Sequence, residues 1–137
     1  MQINTYLTFD GNCRAAFKFY AQLLGGDIKD MMTVGESEAC SHFSADMQDL
    51  IMHASIDING VVLMGSDAMP QHPFHPVRGA HIVLNVDDPA KAEWLFAALA
   101  ENGSIDMPME ETFFAQRYGI ATDRFGVPWM VNCPPKA

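Results

Sequence analysis

The sequence predicts an α+β fold built from two tandem βαβββ modules, on three observations. The segment TYLTFDGNCRAAFKFYAQLL (5–24) is echoed by HIVLNVDDPAKAEWLFAALA (81–100) at an offset of 76 residues. IMHASID (51–57) with NGVVLM (59–64) is echoed by RYGIATD (117–123) with FGVPWM (125–130) at an offset of 66. Between the halves lies MPQHPFHPVRG (69–79), whose prolines and glycine read as a linker. Two echoes in the same order point to duplication, which assigns residues 1–68 and 80–137 to the modules of one structural domain.

Taken in order, TYLTF alternates as a strand does, and Asn12 is the expected cap of the helix that follows. Ala16, Phe19, Tyr20 and Leu23 supply its apolar stripe at i, i+3, i+4 and i+7, and Gly25-Gly26 ends it. After a further strand, IMHASID enters a hairpin at Asn59-Gly60, the pair suited to a type I′ turn because both central residues need positive φ. In the second half Asp88 is the helix cap, Pro89 the first helical residue and Gly103 the stop, with Ala92, Leu95, Phe96 and Leu99 as the stripe. DRFG makes a longer version of the hairpin reversal.

Seventeen acidic residues against eight basic ones give a net charge of −9, which repels nucleic-acid phosphates and anionic lipids and argues against both as partners. No apolar run is long enough to span a bilayer, and the start of the chain lacks the basic-then-apolar pattern of a signal peptide. Cys13, Cys40 and Cys133 show no paired spacing and read as free thiols of a cytoplasmic protein. LLGGD is not a dinucleotide fingerprint, since its glycines follow a helix instead of joining a strand to one.

With the repeat, the segments YLTFDGNCRAAFKFY (6–20), IMHASIDINGVVLMGSD (51–67) and TFFAQRYGIATDRFGVPWMVN (112–132) make the chain resemble the vicinal oxygen chelate superfamily. That superfamily includes glyoxalase I, bleomycin- and fosfomycin-resistance proteins and extradiol dioxygenases; the closer resemblance is to its PhnB-like branch. The resemblance implies a curved sheet around a cavity, helices outside, and pairing as a homodimer. It also implies metal-ligand positions at Thr5, Met64, His81 and Met130. Of these only His81 suits a divalent zinc, nickel, iron or manganese ion; a methionine thioether is a soft, poor ligand for them. The expectation is therefore a protein without a dedicated metal cofactor.

Strand alternation turns Met52, Ala54, Ile56 and Ile58 toward the helices and His53, Ser55 and Asp57 into the cavity. By the same rule His81, Val83, Asn85, Pro128, Met130 and Asn132 face inward, while Trp129 and Val131 pack under a helix. The candidate ligand-binding residues are Thr5, His53, Met64, His81, Phe113, Phe114 and Met130, the two phenylalanines as walls for a flat substrate. Arg117 is either an anion contact or a surface counter-charge, and Glu110-Glu111 either displaced ligands or a solvated edge. His72 and His75 read as solvated linker residues. No residue is assigned a catalytic role. Two readings follow: a small-molecule-binding protein of this superfamily, or a metal-dependent enzyme with a site rearranged around His81, His53 and Glu110 or Glu111.

Overall fold

Leu7 and Phe9 are buried while Tyr6 between them is exposed, the alternation of a half-buried strand, and Thr5–Phe9 forms β1. The chain continues as α1 (Cys13–Leu24), β2 (Asp27–Thr33), β3 (Ile51–Ile58) and β4 (Val61–Asp67). In this computed structural model, which describes residues 1–136, these elements belong to a first unit, Met1–His75. Its sheet has the order β1-β4-β3-β2, with β1 parallel to β4 and the other pairs antiparallel. Two short 3₁₀ turns, Cys40–His42 and Ala45–Met47, punctuate the long connection from β2 to β3.

Helix α1 buries Cys13, Ala16, Phe17 and Tyr20, so its stripe begins one turn earlier than the sequence suggests; Phe19 and Leu23 lie at its margin. Phe17 meets Phe9 edge to face, with ring centroids 5.8 Å apart. Gly65 permits this packing, since a Cβ there would stand 2.8 Å from the Leu7 carbonyl and 3.1 Å from the Phe17 ring. The predicted Asn12 cap makes no capping bond. Asp67 replaces it from the end of β4: its carboxylate accepts from the Cys13 amide at 2.9 Å and the Ile51 amide at 2.8 Å. One buried carboxylate thus ties the start of α1 to the start of β3. Burial, reinforced by the Asp67 charge, pushes the Cys13 thiol up to about 12.

The second unit, Pro76–Ala137, repeats the plan with β5 (Ile82–Asn85), α2 (Pro89–Ala100), β6 (Ser104–Glu110), β7 (Arg117–Thr122) and β8 (Pro128–Cys133). Its strand order is β5-β8-β7-β6, with β5 parallel to β8. Helix α2 buries the expected Ala92, Leu95, Phe96 and Leu99, and the Asp88 side chain caps it by accepting from the Ala90 amide. Its reversal comes from Asn102, at φ 60°, and not from Gly103. Gly103 serves close approach instead: a Cβ there would fall 2.1 Å from the Thr122 carbonyl oxygen. Trp129 is the large core residue, and its indole N–H donates to the buried Asp123 at 2.8 Å. The same carboxylate accepts from the Phe125 and Val127 amides, fixing the turn between β7 and β8.

The hairpin phrases correspond as the sequence suggests. Asn59 and Gly60 both have positive φ, as a type I′ turn requires, and Gly126 repeats the positive φ of Gly60. The opening strands do not correspond at 76. Tyr6 lies opposite Met64 and Val83 opposite Met130, which sets their offset at 77. From Tyr6 to the helix start at Cys13 is seven residues, and from Val83 to the start at Pro89 is six, so the helices return to 76. A one-residue shift moves a side chain to the opposite face of a sheet. Within the stretch read as a linker, Met69 and His72 form a tight turn through reciprocal backbone hydrogen bonds.

Two outcomes are expected. Asp67→Ala leaves two buried amides without their acceptor and lowers stability by about 2–4 kcal/mol, measured by urea unfolding. The Cys13 thiol ionises in the unfolded chain near its ordinary value of 9.0 but only near 12 when folded. Its contribution is therefore complete below about pH 9 and is lost as pH rises toward 12. The slope of stability against pH in that window is shallower in Cys13→Ala than in the parent.

Candidate functional site

Helix α1 covers one face of the first sheet. The register puts Tyr6 and Thr8 of β1, Met64 and Ser66 of β4, His53 and Ser55 of β3, and Asp30 and Met32 of β2 on the other. Tyr6 reaches diagonally across β4 to share a hydrogen bond between its hydroxyl and His53 Nδ1 at 3.3 Å, with the rings stacked at 5.8 Å between centroids and 25° between planes. Ser55, almost fully buried, donates to the Asp30 carboxylate at 2.9 Å. Tyr6, Thr8 and Ser66 bring three hydroxyls to the wall of a cavity of about 380 Å³, closed by Met52, Asp67, Met69 and His72. His72 is positioned by the tight Met69–His72 turn. The cavity therefore combines donors, an imidazole and polarizable thioethers, the mixed lining that orients a small ligand.

The helix-free face of the second sheet carries Val83, Asn85, Met130, Asn132, Ile120 and Tyr118. Asn132 donates to the Asn85 side-chain carbonyl at 2.9 Å, while its own Oδ1 is buried without a protein partner among the described residues. Tyr118 donates to the Met130 sulfur at 3.2 Å. Phe114 stands edge to face on Tyr118, and Phe113 on Phe114, at 5.0 and 5.1 Å.

Among the candidate residues, Met64 and Met130 occupy equivalent places on the helix-free faces, and His53 joins Tyr6. Thr5 lies opposite Leu63, a buried residue of the helix-covered face, and so points away from Met64. His81 is exposed and immediately precedes β5. The pairing of Thr5 with His81 fails because the strands correspond at 77; the residues opposite Met64 and Met130 are Tyr6 and Val83. Phe113 is fully exposed, and Phe114 reaches the helix-free face only through Tyr118. Glu110 lies opposite Tyr118, on the edge strand β6.

A divalent metal does not suit this donor set. The Met130 sulfur is engaged by Tyr118, and Thr5 lies on the helix-covered side of its sheet, away from Met64. His81 and Glu110 stand by opposite edges of their sheet, three strand spacings or roughly 14 Å apart, too far to share one ion. The sequence reading missed Tyr6, Thr8, Ser66 and His72. The first three were legible in the alternation opposite Leu7, Phe9 and Gly65; His72 was not, since only the turn brings it to the cavity.

A duplicated βαβββ architecture, with one helix on one face of each four-stranded sheet, defines the fold class of the protein. The family model for the glyoxalase/bleomycin resistance protein/dioxygenase superfamily matches residues 2–131, and the chain belongs to that superfamily. It is 37% identical to Protein YjdN of Escherichia coli strain K12, covering 96% of this chain and 95% of that one. The crystal structure of protein PA1353 from Pseudomonas aeruginosa is 48% identical and superposes with a TM-score of 0.90 over 99% of both chains. A Bacillus cereus PhnB protein, titled a putative 3-demethylubiquinone-9 3-methyltransferase, shares the fold at 23% identity and a TM-score of 0.79, covering 97% of this chain and 99% of its own.

Because the Tyr6 hydroxyl and His53 Nδ1 share a hydrogen bond, neutral His53 is expected to hold one tautomer in excess, Nε2–H where the hydroxyl donates and Nδ1–H where it accepts. Long-range ¹H–¹⁵N NMR reads this directly, and Tyr6→Phe is expected to remove the preference.

Proposed function

We propose that this protein is a small-molecule-binding member of the superfamily, of its PhnB-like branch, that works without a resident metal. The observation that carries the reading is the Tyr6–His53 pair beside the hydroxyl-lined cavity of about 380 Å³. The Tyr6 hydroxyl, the imidazoles and the Ser66 and Thr8 hydroxyls offer hydrogen bonds of either sense, while Met52 and Met69 give adaptable apolar contact. The soft and engaged donors at the superfamily's ligand positions support metal-free binding. The unbonded cysteines fit a reducing cytoplasm, and among the described residues no helix is long and apolar enough to cross a membrane. A second copy of the chain is the proposed partner, since each sheet ends in edge strands with free backbone groups.

A thermal-shift screen of small oxyanions and polar aromatic compounds on protein purified without chelator tests the reading. The expected hit raises the melting temperature of the parent and loses most of that effect in Tyr6→Ala. A stoichiometric divalent ion in the purified protein, or hits indifferent to Tyr6→Ala, overturns it. Sedimentation at micromolar concentration is expected to give a dimer.

A further inference from the structure

The second unit holds a larger cleft on the helix side of its sheet, away from the face that carries Met130 and Tyr118. It measures about 510 Å³ and lies between Pro89 at the start of α2, the loop at Glu111–Gln116, and the segment at Pro135 and Lys136. Arg117 identifies the side of the sheet. It opens β7, and its side chain reaches back to Glu93 of α2, where Nε donates at 3.1 Å.

The guanidinium is only partly used. Glu93 engages Nε at a single point instead of across the fork, Nη1 donates to the Gln116 carbonyl at 2.8 Å, and Nη2 has no partner among the described residues. A guanidinium held still at two of its nitrogens and open at the third presents a fixed, charged N–H donor to a carboxylate oxygen. Beside it the Thr112 hydroxyl oxygen accepts from the Phe114 amide, leaving its own O–H as a donor, and Lys136 adds a second cation. Glu111 and Glu93 balance these two positive charges, a local neutrality that favours a single incoming negative charge over a doubly charged phosphate.

Phe113 supplies the apolar half of the site. It lines the cleft and is 100% exposed, in T-shaped contact with Phe114, and Pro89 and Pro135 also line the cleft. The Thr112–Ala115 turn, closed by the hydrogen bond from the Thr112 amide to the Ala115 carbonyl, holds the ring in place. A flat ring laid on Phe113 removes apolar surface of both from water.

We propose that this cleft binds a small aromatic monocarboxylate, with the carboxylate on Arg117 and the ring against Phe113. The site is separate from the Tyr6–His53 cavity, so either can fail without the other. The test is a ¹H–¹⁵N titration of the full chain with benzoate, following the amides of residues 112–117 and the Arg117 Nε signal. Saturable shifts at millimolar benzoate are expected there, with benzamide and acetate each binding more weakly. Arg117→Gln weakens benzoate by roughly tenfold or more, as loss of a charge-assisted contact does. Glu93→Gln frees the guanidinium of its internal competitor and tightens binding, a gain that a purely structural Arg117–Glu93 pair does not give. Spectra of both variants that overlay the parent's outside the cleft establish that they are folded. Unmoved signals at 112–117, shifts confined to the Tyr6–His53 face, or equal affinity in parent and Glu93→Gln overturn the proposal.

Discussion

Each unit closes by laying its first strand parallel to its last, and the rest of the architecture follows from that pairing. After β1 or β5 the chain must cross the whole sheet to start the strand at the far edge, and the helix makes that crossing. One helix covers one face, so the other is left to polar and polarizable side chains. Tyr6, His53, Thr8 and Ser66 are together because they stand on adjoining strands of that uncovered face. The site is thus a consequence of connectivity before it is one of chemistry.

Two buried carboxylates stabilise this plan in different ways. Asp67 ends β4 and gathers the amides that begin α1 and β3, joining three elements at one point. Asp123 gathers two amides of its own turn and the Trp129 indole, joining a hairpin to the core. Each meets the cost of burying a charge with directed N–H donors. Burial first, and the charge of Asp67 second, hold the Cys13 thiol above its ordinary range. Both hairpins are braced by the corresponding carboxylates Asp57 and Asp123, whereas the tie between helix and strand made by Asp67 is found, among the described residues, only in the first unit.

The hairpin phrases were legible because turn chemistry is local: Asn59-Gly60 and Gly126 declare positive φ whatever surrounds them. The α2 stripe and the Asp88-Pro89 start were legible for the same reason. The opening strands were misread by one residue, because the helices align at 76 while the strands, paired one residue nearer their helix in the second unit, align at 77. That slip is invisible in composition, but on a sheet it exchanges faces, putting Thr5 on the helix-covered side and Tyr6 on the helix-free one. Asn12 misled as well, since the helix start found a stronger acceptor in Asp67, 54 residues away.

The amino-acid sequence by itself determined the duplicated βαβββ order, the hairpins, the α2 core stripe and the soft donors Met64 and Met130 at corresponding places. These are written in short-range patterns of polarity, glycine and proline. Tertiary structure alone decided that Tyr6 meets His53 across an intervening strand, that a turn at Met69–His72 brings an imidazole to the cavity, and that Arg117 turns to Glu93 with Nη2 unpartnered among the described residues. Register and loop closure set those contacts, and both arise from packing between residues far apart in the chain.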